Sequence, residues 1–99
     1  MIIKVMELST AHITPHDAFL LDQRKPLMPT VIRYKYSEGY FVFVPGGVDD
    51  IKDTIHRASE EGHSEAFCAI LALAREQGCK YAQIDRDGEV YDDMPTFKW

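Results

Sequence analysis

Short runs of β-branched and aromatic residues alternate along the chain with longer stretches in which apolar residues recur at helical spacing. The short runs, bounded by glycine, proline and acidic turn residues, are typical of β-strands. They predict strands over residues 2–8, 30–36, 40–44 and 80–84. A turn carrying Asp85, Asp87 and Gly88 is expected to lead into a return strand over 89–91, with the glycine at the positive-φ position.

The first helical stretch has a well-defined start. Thr14 is suited to cap free amides, Pro15 costs nothing at the first helical position, and Asp17 completes a capping-box-like pair. Prolines 26 and 29 follow the basic pair at 24–25. The helix is therefore expected to end near that pair.

Two further helices are predicted in the second half of the chain. One begins at Asp49 or Asp50 and ends over 60–62. The other is capped by Ser64, runs to about Gln77 and is terminated by Gly78 in a left-handed conformation. Its apolar residues surround it almost completely, which is typical of the most buried helix of a domain.

The predicted order of elements is β-α-β-β-α-α-β plus a terminal hairpin, a variant of the ferredoxin-like split β-α-β arrangement. Ninety-nine residues suit one domain. We expect a single α+β domain over 1–99, with an antiparallel or mixed sheet and the helices on one face. The helix side chains expected against the sheet are Leu20, Leu21, Phe67, Ile70 and Leu71.

Charge and cysteine content limit the expected partners and the expected cellular compartment. The net charge of -5 opposes a broad phosphate-binding surface, so nucleic acid is not the expected partner. The sequence has neither a membrane-spanning run nor a signal-peptide pattern. A helix between Cys68 and Cys79 would hold them about 16 Å apart, beyond disulfide reach. Two unpaired cysteines suit a reducing compartment, and a cytoplasmic location is expected.

The polar loop 9–12 is the first candidate site. Ser9, Thr10 and His12 follow a strand and precede a helix start, where free amides favour anions and the side chains add donors. Alternatively, the hydroxyls satisfy turn amides and the histidine is a surface residue. The loop lacks a nucleophile-elbow motif and a glycine-rich fingerprint, so no catalytic or cofactor-binding residue is predicted.

Metal binding is not predicted either. A helix start separates His12 from His16, so their spacing does not place them on one helix face. The carboxylates at Asp85 and Asp87 are spaced like part of a calcium loop, but both anchor positions of such a loop lack a carboxylate. This acidic turn remains a candidate for weak cation binding or for facing a basic partner.

Aromatic side chains are concentrated in the hairpin 34–43 and at the C-terminus. Arg33 and Lys35 alternate with tyrosines, an arrangement that single-stranded nucleic-acid binders use with the rings as stacking platforms. Core packing with one exposed face is the alternative. Phe97 and Trp99 are expected to fold back over the core or to meet a partner, since they would otherwise leave apolar rings in water.

The sequence LSTAH at 8–12, followed by Pro15 and LLD at 20–22, resembles the opening of a family of small uncharacterised bacterial proteins. The pattern DxDGxV at 85–90, then PT and Trp99, resembles that family's end. The resemblance implies a mobile-element origin, on plasmids, phages or genomic islands. It implies no activity and no catalytic residue.

These observations favour an accessory protein that acts through protein–protein association, with a homo-oligomer among the expected assemblies and without catalysis or a cofactor. The first alternative is a ligand-binding or enzymatic site in which Ser9, Thr10 and His12 meet Asp85 and Asp87. The second is weak binding of single-stranded nucleic acid on the hairpin 34–43. Trp99 is the remaining candidate partner contact.

Overall fold

A computed structural model describes residues 2–23 and 33–99 of the chain. The strands are β1 (Val5–Ser9), β2 (Arg33–Tyr36), β3 (Gly39–Phe43) and β4 (Tyr81–Asp85), and the helices are α1 (Pro15–Asp22), α2 (Val48–Glu60) and α3 (Glu65–Glu76). A 3₁₀ turn, Thr10–His12, joins β1 to α1. Within the described ranges, no helix has the length and apolar character needed to cross a membrane.

Helix α1 begins as the sequence predicts. The Thr14 hydroxyl accepts from the Asp17 amide at 3.0 Å, the Asp17 carboxylate accepts from the Thr14 amide at 3.0 Å, and Pro15 is the first helical residue. The helix ends at Asp22, and the expected end at 24–25 lies outside the described residues.

Helices α2 and α3 also match their sequence signals closely. Ser64 caps α3 by accepting from the Phe67 amide, and Gly78 follows the helix with φ of +76°, where a side chain would be strained. Helix α2 begins at Val48, one or two residues before the predicted start at Asp49 or Asp50, and its N-cap, Gly47, makes no side-chain cap hydrogen bond.

The four strands form a mixed sheet in the order β1-β4-β3-β2. β1 pairs with β4 in parallel, and β4–β3 and β3–β2 are antiparallel. The α+β class and the element order through β4 are therefore confirmed. β1 and β2 run in the same direction with two strands between them, which makes the sheet a wide form of the split β-α-β arrangement. Residues 2–4 precede β1, because the ladder with β4 starts where Val5 pairs with Tyr81.

The predicted return strand over 89–91 is wrong. β4 is a central strand with β1 on one side and β3 on the other, so it offers no free edge to a hairpin partner. The chain instead passes over the end of β1, and the Ser9 amide donates to the Glu89 carbonyl oxygen at 2.9 Å. This segment covers part of the outer edge of β1, which would otherwise be open to another strand.

Gly88 has a different role from the predicted one. The positive-φ glycines among the described residues are Gly62 and Gly78, and Gly88 is not one of them. A Cβ at Gly88 would lie 2.4 Å from the Leu8 carbonyl oxygen. The glycine is needed because two backbone segments approach each other closely, and not for its dihedral freedom.

Strand register divides the sheet into two unlike faces. Side chains directly opposite each other on paired strands share a face. The first face is apolar and joins helix side chains in the buried core; its core members are Leu8, Tyr40, Val42, Ala82 and Ile84. The helix residues in that core include Leu21, Phe67, Ile70 and Leu71, which were predicted to lie there, whereas Leu20 is only half-buried.

Both cysteines are free thiols, as the helix between them predicts. Cys68 lies within α3 and packs against the core, and Cys79 lies just after it and is buried. Burial, with the nearby Asp17 and Glu65 carboxylates, raises the pKa of the Cys68 thiol. It is therefore a weak nucleophile at neutral pH.

Candidate functional site

The segments that follow β1 and β4 meet at the carboxyl end of the β1–β4 pair. Because these strands are parallel neighbours, both finish at the same edge of the sheet, and Ser9 pairs with Asp85. The loop 9–12 and the turn after β4 therefore lie side by side. The first alternative required this convergence.

Within the loop, Ser9 and His12 are buried and occupied by structural hydrogen bonds. The Ser9 hydroxyl accepts from the Ala11 amide at 3.0 Å. His12 Nε2 accepts from the Tyr91 amide at 2.9 Å, and its Nδ1 lies 2.8 Å from the Pro95 carbonyl oxygen. A ring that accepts at Nε2 is neutral and carries its proton on Nδ1. His12 thus fastens the C-terminal tail to the loop, and it is not the surface residue that one reading of the sequence expected.

The C-terminal tail continues along the same loop. The Phe97 amide donates to the Ala11 carbonyl oxygen at 2.8 Å, and the Trp99 indole N–H donates to the Ile13 carbonyl oxygen at 3.2 Å. The tail folds back over the domain, one of the two outcomes expected for it. Trp99 nevertheless remains 63% exposed, so an aromatic residue borders the end of the sheet.

Asp85 is held in place by its neighbours. Its carboxylate accepts from the Tyr36 hydroxyl at 2.5 Å and from the Asp87 amide at 2.8 Å. The Tyr36 hydrogen bond, followed by that from the Asp87 amide, lowers the pKa of Asp85. Burial and the same carboxylate raise the pKa of Tyr36. The pair is therefore a carboxylate and a neutral phenol near neutral pH.

A shallow cleft of about 300 Å³ opens beside this pair. Thr10 and Trp99 form part of its wall, and an Asp22 carboxylate bonded to Lys35 and Tyr40 forms another part. Its remaining lining includes Tyr36, Ser37, Glu38, Gly39 and Arg86. The cleft carries charges of both signs beside one indole ring, so it offers hydrogen bonding and stacking. The hydroxyls of Ser37, Tyr36 and Tyr40 in its lining each donate to a carboxylate.

A second polar group, which sequence reasoning missed, lies between the helix N-termini. Asp17 is 0% exposed, and its carboxylate accepts from the Ser64 amide at 2.8 Å, from the Ser64 hydroxyl and from the Thr14 hydroxyl at 2.9 Å. His63 Nδ1 lies 3.0 Å from the same carboxylate. The capping box identified Asp17, but no local signal pairs it with a residue 46 positions away.

The electrostatics of Asp17 follow from these contacts. Burial alone would raise its pKa, but hydrogen bonds from His63, Ser64 and Thr14 outweigh burial and hold the pKa well below its ordinary value. Because the Ser64 hydroxyl donates to Asp17 rather than to His63, the three side chains do not form a serine–histidine nucleophile pair. The group caps α1 and α3 together.

No metal centre is evident within residues 2–23 and 33–99, where no three histidine, cysteine or acidic side chains are placed to hold an ion. His56 instead pairs with Glu60 on the surface of α2 at 3.0 Å. The Asp85 carboxylate is committed to Tyr36 and to its own turn.

The second face of the sheet carries a cluster of aromatic rings, which we call the aromatic face: Tyr34, Tyr36, Phe41, Phe43 and Tyr81. Ring centroids lie 5.3 Å apart for Tyr36 and Phe41, 6.5 Å for Phe41 and Tyr81, and 5.8 Å for Phe43 and Tyr81. Tyr34 is 60% exposed and the other rings are half-buried. The sheet side chains of the buried core all come from the opposite face.

The basic residues of the hairpin lie on the other side of the sheet from these rings. Lys35 pairs across the strands with Tyr40, and Arg33 with Val42, which are core-face residues. Lys35 bonds to Asp22 at 2.8 Å, and Arg33 donates to the carbonyl oxygens of α1. The alternation that suggested a nucleic-acid platform therefore separates its rings from its cations.

Comparison with known proteins places the chain in a protein family. The model for the C-terminal domain of a family of unknown function, DUF5983, matches residues 5–99. No curated protein and no solved structure matches the chain. The matched residues run from the first residue of β1 to the last residue of the tail, so they include the cleft, the Asp17 group and the aromatic face.

Proposed function

The chain belongs to the DUF5983 family, whose function is unknown, and we propose that it acts by binding another protein through the aromatic face, without catalysis. One observation carries the proposal. The sheet side chains that enter the core lie on one face, and the other face presents the aromatic rings. Aromatic side chains are the residues most enriched at the centres of protein interfaces.

The size of the aromatic face sets the kind of contact. Strand spacing of about 4.8 Å and a rise of about 3.3 Å per residue give four short strands a flat area of roughly 15 Å by 15 Å. A stable interface buries about 800 Å² on each partner. The rings therefore supply the centre of a contact that extends onto the surrounding surface. A contact confined to the rings would be transient.

The test compares two exposed aromatic side chains on different surfaces. Tyr34 on the aromatic face is 60% exposed, and Phe19 on α1 is 58% exposed. Tyr34→Ala and Phe19→Ala remove similar apolar area, so both are expected to leave the melting temperature within a few degrees. Tagged protein purified from its native host, with bound proteins quantified by mass spectrometry, should lose a bound protein only in Tyr34→Ala. Equal recovery of every bound protein in both variants contradicts the proposal.

The cleft at the end of the sheet favours a second candidate function, binding of a small polar ligand. It combines an exposed indole ring, a threonine hydroxyl and fixed charges, and it lies where the carboxyl ends of parallel strands meet. Its volume of about 300 Å³ is at the lower end of ligand pockets. A ligand of metabolite size, stacked on Trp99, would fill it.

Trp99 provides the assay, because the chain contains one tryptophan. A ligand that stacks on the ring should change its fluorescence in a saturable manner. Inorganic phosphate, citrate, AMP and glucose span the classes of charge and ring that this lining accepts. Thr10→Val should weaken a true ligand about tenfold, since it removes a hydroxyl of the wall. Absence of a saturable change with all four compounds at millimolar concentration counts against a metabolite site.

A further inference from the structure

The proposed protein contact has a definite electrostatic character. The strands place two charged residues on the aromatic face, Glu7 on β1 and Asp85 on β4, and both are acidic. Glu7 is exposed, and Asp85 lies beside the ring of Tyr36. The face therefore combines aromatic rings with carboxylates.

Further acidic side chains lie along the outer edge of β1. The Tyr91 hydroxyl donates to the Glu7 carbonyl oxygen at 2.9 Å, which brings the tail against the outer edge of β1. Burial raises the pKa of Tyr91, and the charges of Glu89, Glu7 and Asp93 raise it further. The Ser9 amide donates to the Glu89 carbonyl oxygen, so Glu89 lies along the same edge, and Asp93 follows Tyr91 by two residues. We call Glu7, Asp85, Glu89 and Asp93 the acidic rim.

Two lysines on or beside the strands are already bonded to other groups. The Lys4 ammonium group donates to the Gln77 carbonyl oxygen at 2.8 Å, and Lys35 is bonded to Asp22 on the other side of the sheet. Arg86 lies next to Asp85, at the cleft. Two copies of this surface would bring like charges together, which disfavours pairing with a second copy.

Resting on the proposed function, we infer that the partner is a protein presenting an arginine-rich basic surface to the aromatic face. Arginine fits both features of the site. Its guanidinium group stacks on tyrosine rings and pairs with carboxylates through two parallel hydrogen bonds. Lysine shares the charge but lacks the planar fork, so it should bind less tightly.

The experiment uses a fluorescein-labelled twelve-residue peptide of alternating arginine and serine, with lysine and glutamate versions as comparators. Binding to the full chain is followed by fluorescence anisotropy at 50 mM and 300 mM salt. We expect the arginine peptide to bind at least tenfold more tightly than the glutamate peptide and about threefold more tightly than the lysine peptide. Its affinity should fall at least fivefold at the higher salt concentration, because exposed charges are screened.

Two charge-matched variants separate a local effect from general attraction to an acidic protein. Glu7→Lys with Glu89→Lys alters the acidic rim, whereas Glu60→Lys with Glu76→Lys makes the same charge change at exposed ends of α2 and α3. Lysine is favourable in a last helical turn, so the control should fold well. The rim variant should weaken the arginine peptide at least tenfold, and the control should change it less than twofold. Circular dichroism checks that each is folded.

The results distinguish this inference from the proposal on which it rests. If both charge variants weaken the peptide equally, or if the glutamate peptide binds as well as the arginine peptide, the basic partner is refuted. Loss of a bound protein in Tyr34→Ala would then leave the aromatic face standing as a protein-binding surface. If neither the peptide nor any bound protein responds to the rim variant or to Tyr34→Ala, both fail.

Discussion

The substitution Asp17→Asn tests the buried polar group between α1 and α3 most directly. Asparagine keeps the size of the side chain but loses the negative charge and replaces one acceptor oxygen with a donor amide. Whichever oxygen becomes the amide, it would face groups that already donate to Asp17. On one side these are the Thr14 and Ser64 hydroxyls, and on the other the His63 ring nitrogen and the Ser64 backbone amide. At least one buried donor is then left without a partner.

The expected cost follows from the charge and the burial of the site. A hydrogen bond to a charged group contributes about 1.5–3 kcal/mol, and breaking a buried charged contact costs about 3–5 kcal/mol. Asp17 caps two helices at once, so we expect Asp17→Asn to lower the free energy of unfolding by about 3–5 kcal/mol. For a domain of this length that corresponds to a melting temperature lower by about 15 °C or more.

The pH dependence of stability gives an independent check. The pKa of Asp17 is lowered from its ordinary value of 3.8 in the folded protein. Its contribution to stability is therefore complete above about pH 4 and is lost as the pH falls towards the folded pKa. Between those values, this group alone reduces the free energy of unfolding by up to about 1.4 kcal/mol per pH unit. Asp22 and Asp85, whose pKa values are also lowered, remain in both proteins and cancel in the comparison.

Urea unfolding at pH 7 and at intervals from pH 5 to pH 2.5, followed by circular dichroism, measures both effects. The control is Asp53→Asn, which breaks an exposed ion pair with Arg57 on α2 and should cost under about 0.5 kcal/mol. If Asp17→Asn costs no more than Asp53→Asn, the buried group does not stabilise the fold. If the free energy of unfolding of Asp17→Asn falls as steeply between pH 5 and pH 2.5 as that of the unmodified protein, Asp17 is not the group that titrates in this range.

Three further substitutions test the segment that closes the fold. Gly88→Ala should cost about 1–3 kcal/mol, because a Cβ there meets backbone atoms, whereas Gly46→Ala has open space and should be nearly neutral; an equal change in urea midpoint for both would refute the steric argument. His12→Ala leaves the Tyr91 amide without its acceptor, so hydrogen exchange at that amide should accelerate at least tenfold while α3 stays protected; unchanged exchange would contradict the assigned tautomer and contact. Trp99→Phe removes one indole hydrogen bond and should cost about 1 kcal/mol or less by thermal melting; a larger loss would mean that the ring supports the fold.

The local features of this fold were predictable because their causes lie within a few residues. Thr14, Pro15 and Asp17 specify the start of α1 through neighbouring amides, and Ser64 and Gly78 delimit α3 in the same way. Each of these signals depends on backbone geometry over one helical turn, which a sequence displays directly.

The errors arose where a distant strand decided the outcome. Whether residues 89–91 form a strand depends on whether β4 has a free edge, and β1 occupies that edge although it lies at the other end of the chain. Gly88 was assigned to a positive-φ turn because turn statistics describe a hairpin, whereas the close approach of β1 is what requires glycine there. The contact between Asp17 and His63 likewise follows only once α1 and α3 are packed side by side.

The candidate site was also predicted only in part, because some of its contacts depend on segments far apart in the sequence. The convergence of Ser9 with Asp85 follows from the pairing of two parallel strands. The hydrogen bonds by which His12 holds the tail depend on the path of the tail. The separation of Arg33 and Lys35 from the tyrosines was implicit in their alternation. Strand pairing was still needed to show which face of the sheet enters the core.

The aromatic face and the loop 9–12 with its tail can be altered independently. This separates effects on protein binding from effects on stability. The loop 9–12 and the tail are joined by partly buried hydrogen bonds, so loss of those bonds should lower stability first and affect protein binding at the aromatic face only through unfolding. Tyr34 is 60% exposed and Glu7 is exposed, so substitutions there should leave stability nearly unchanged. A protein contact that survives His12→Ala in the folded fraction but is lost in Tyr34→Ala would therefore assign binding to the sheet face, and closure of the fold to the paired chain ends.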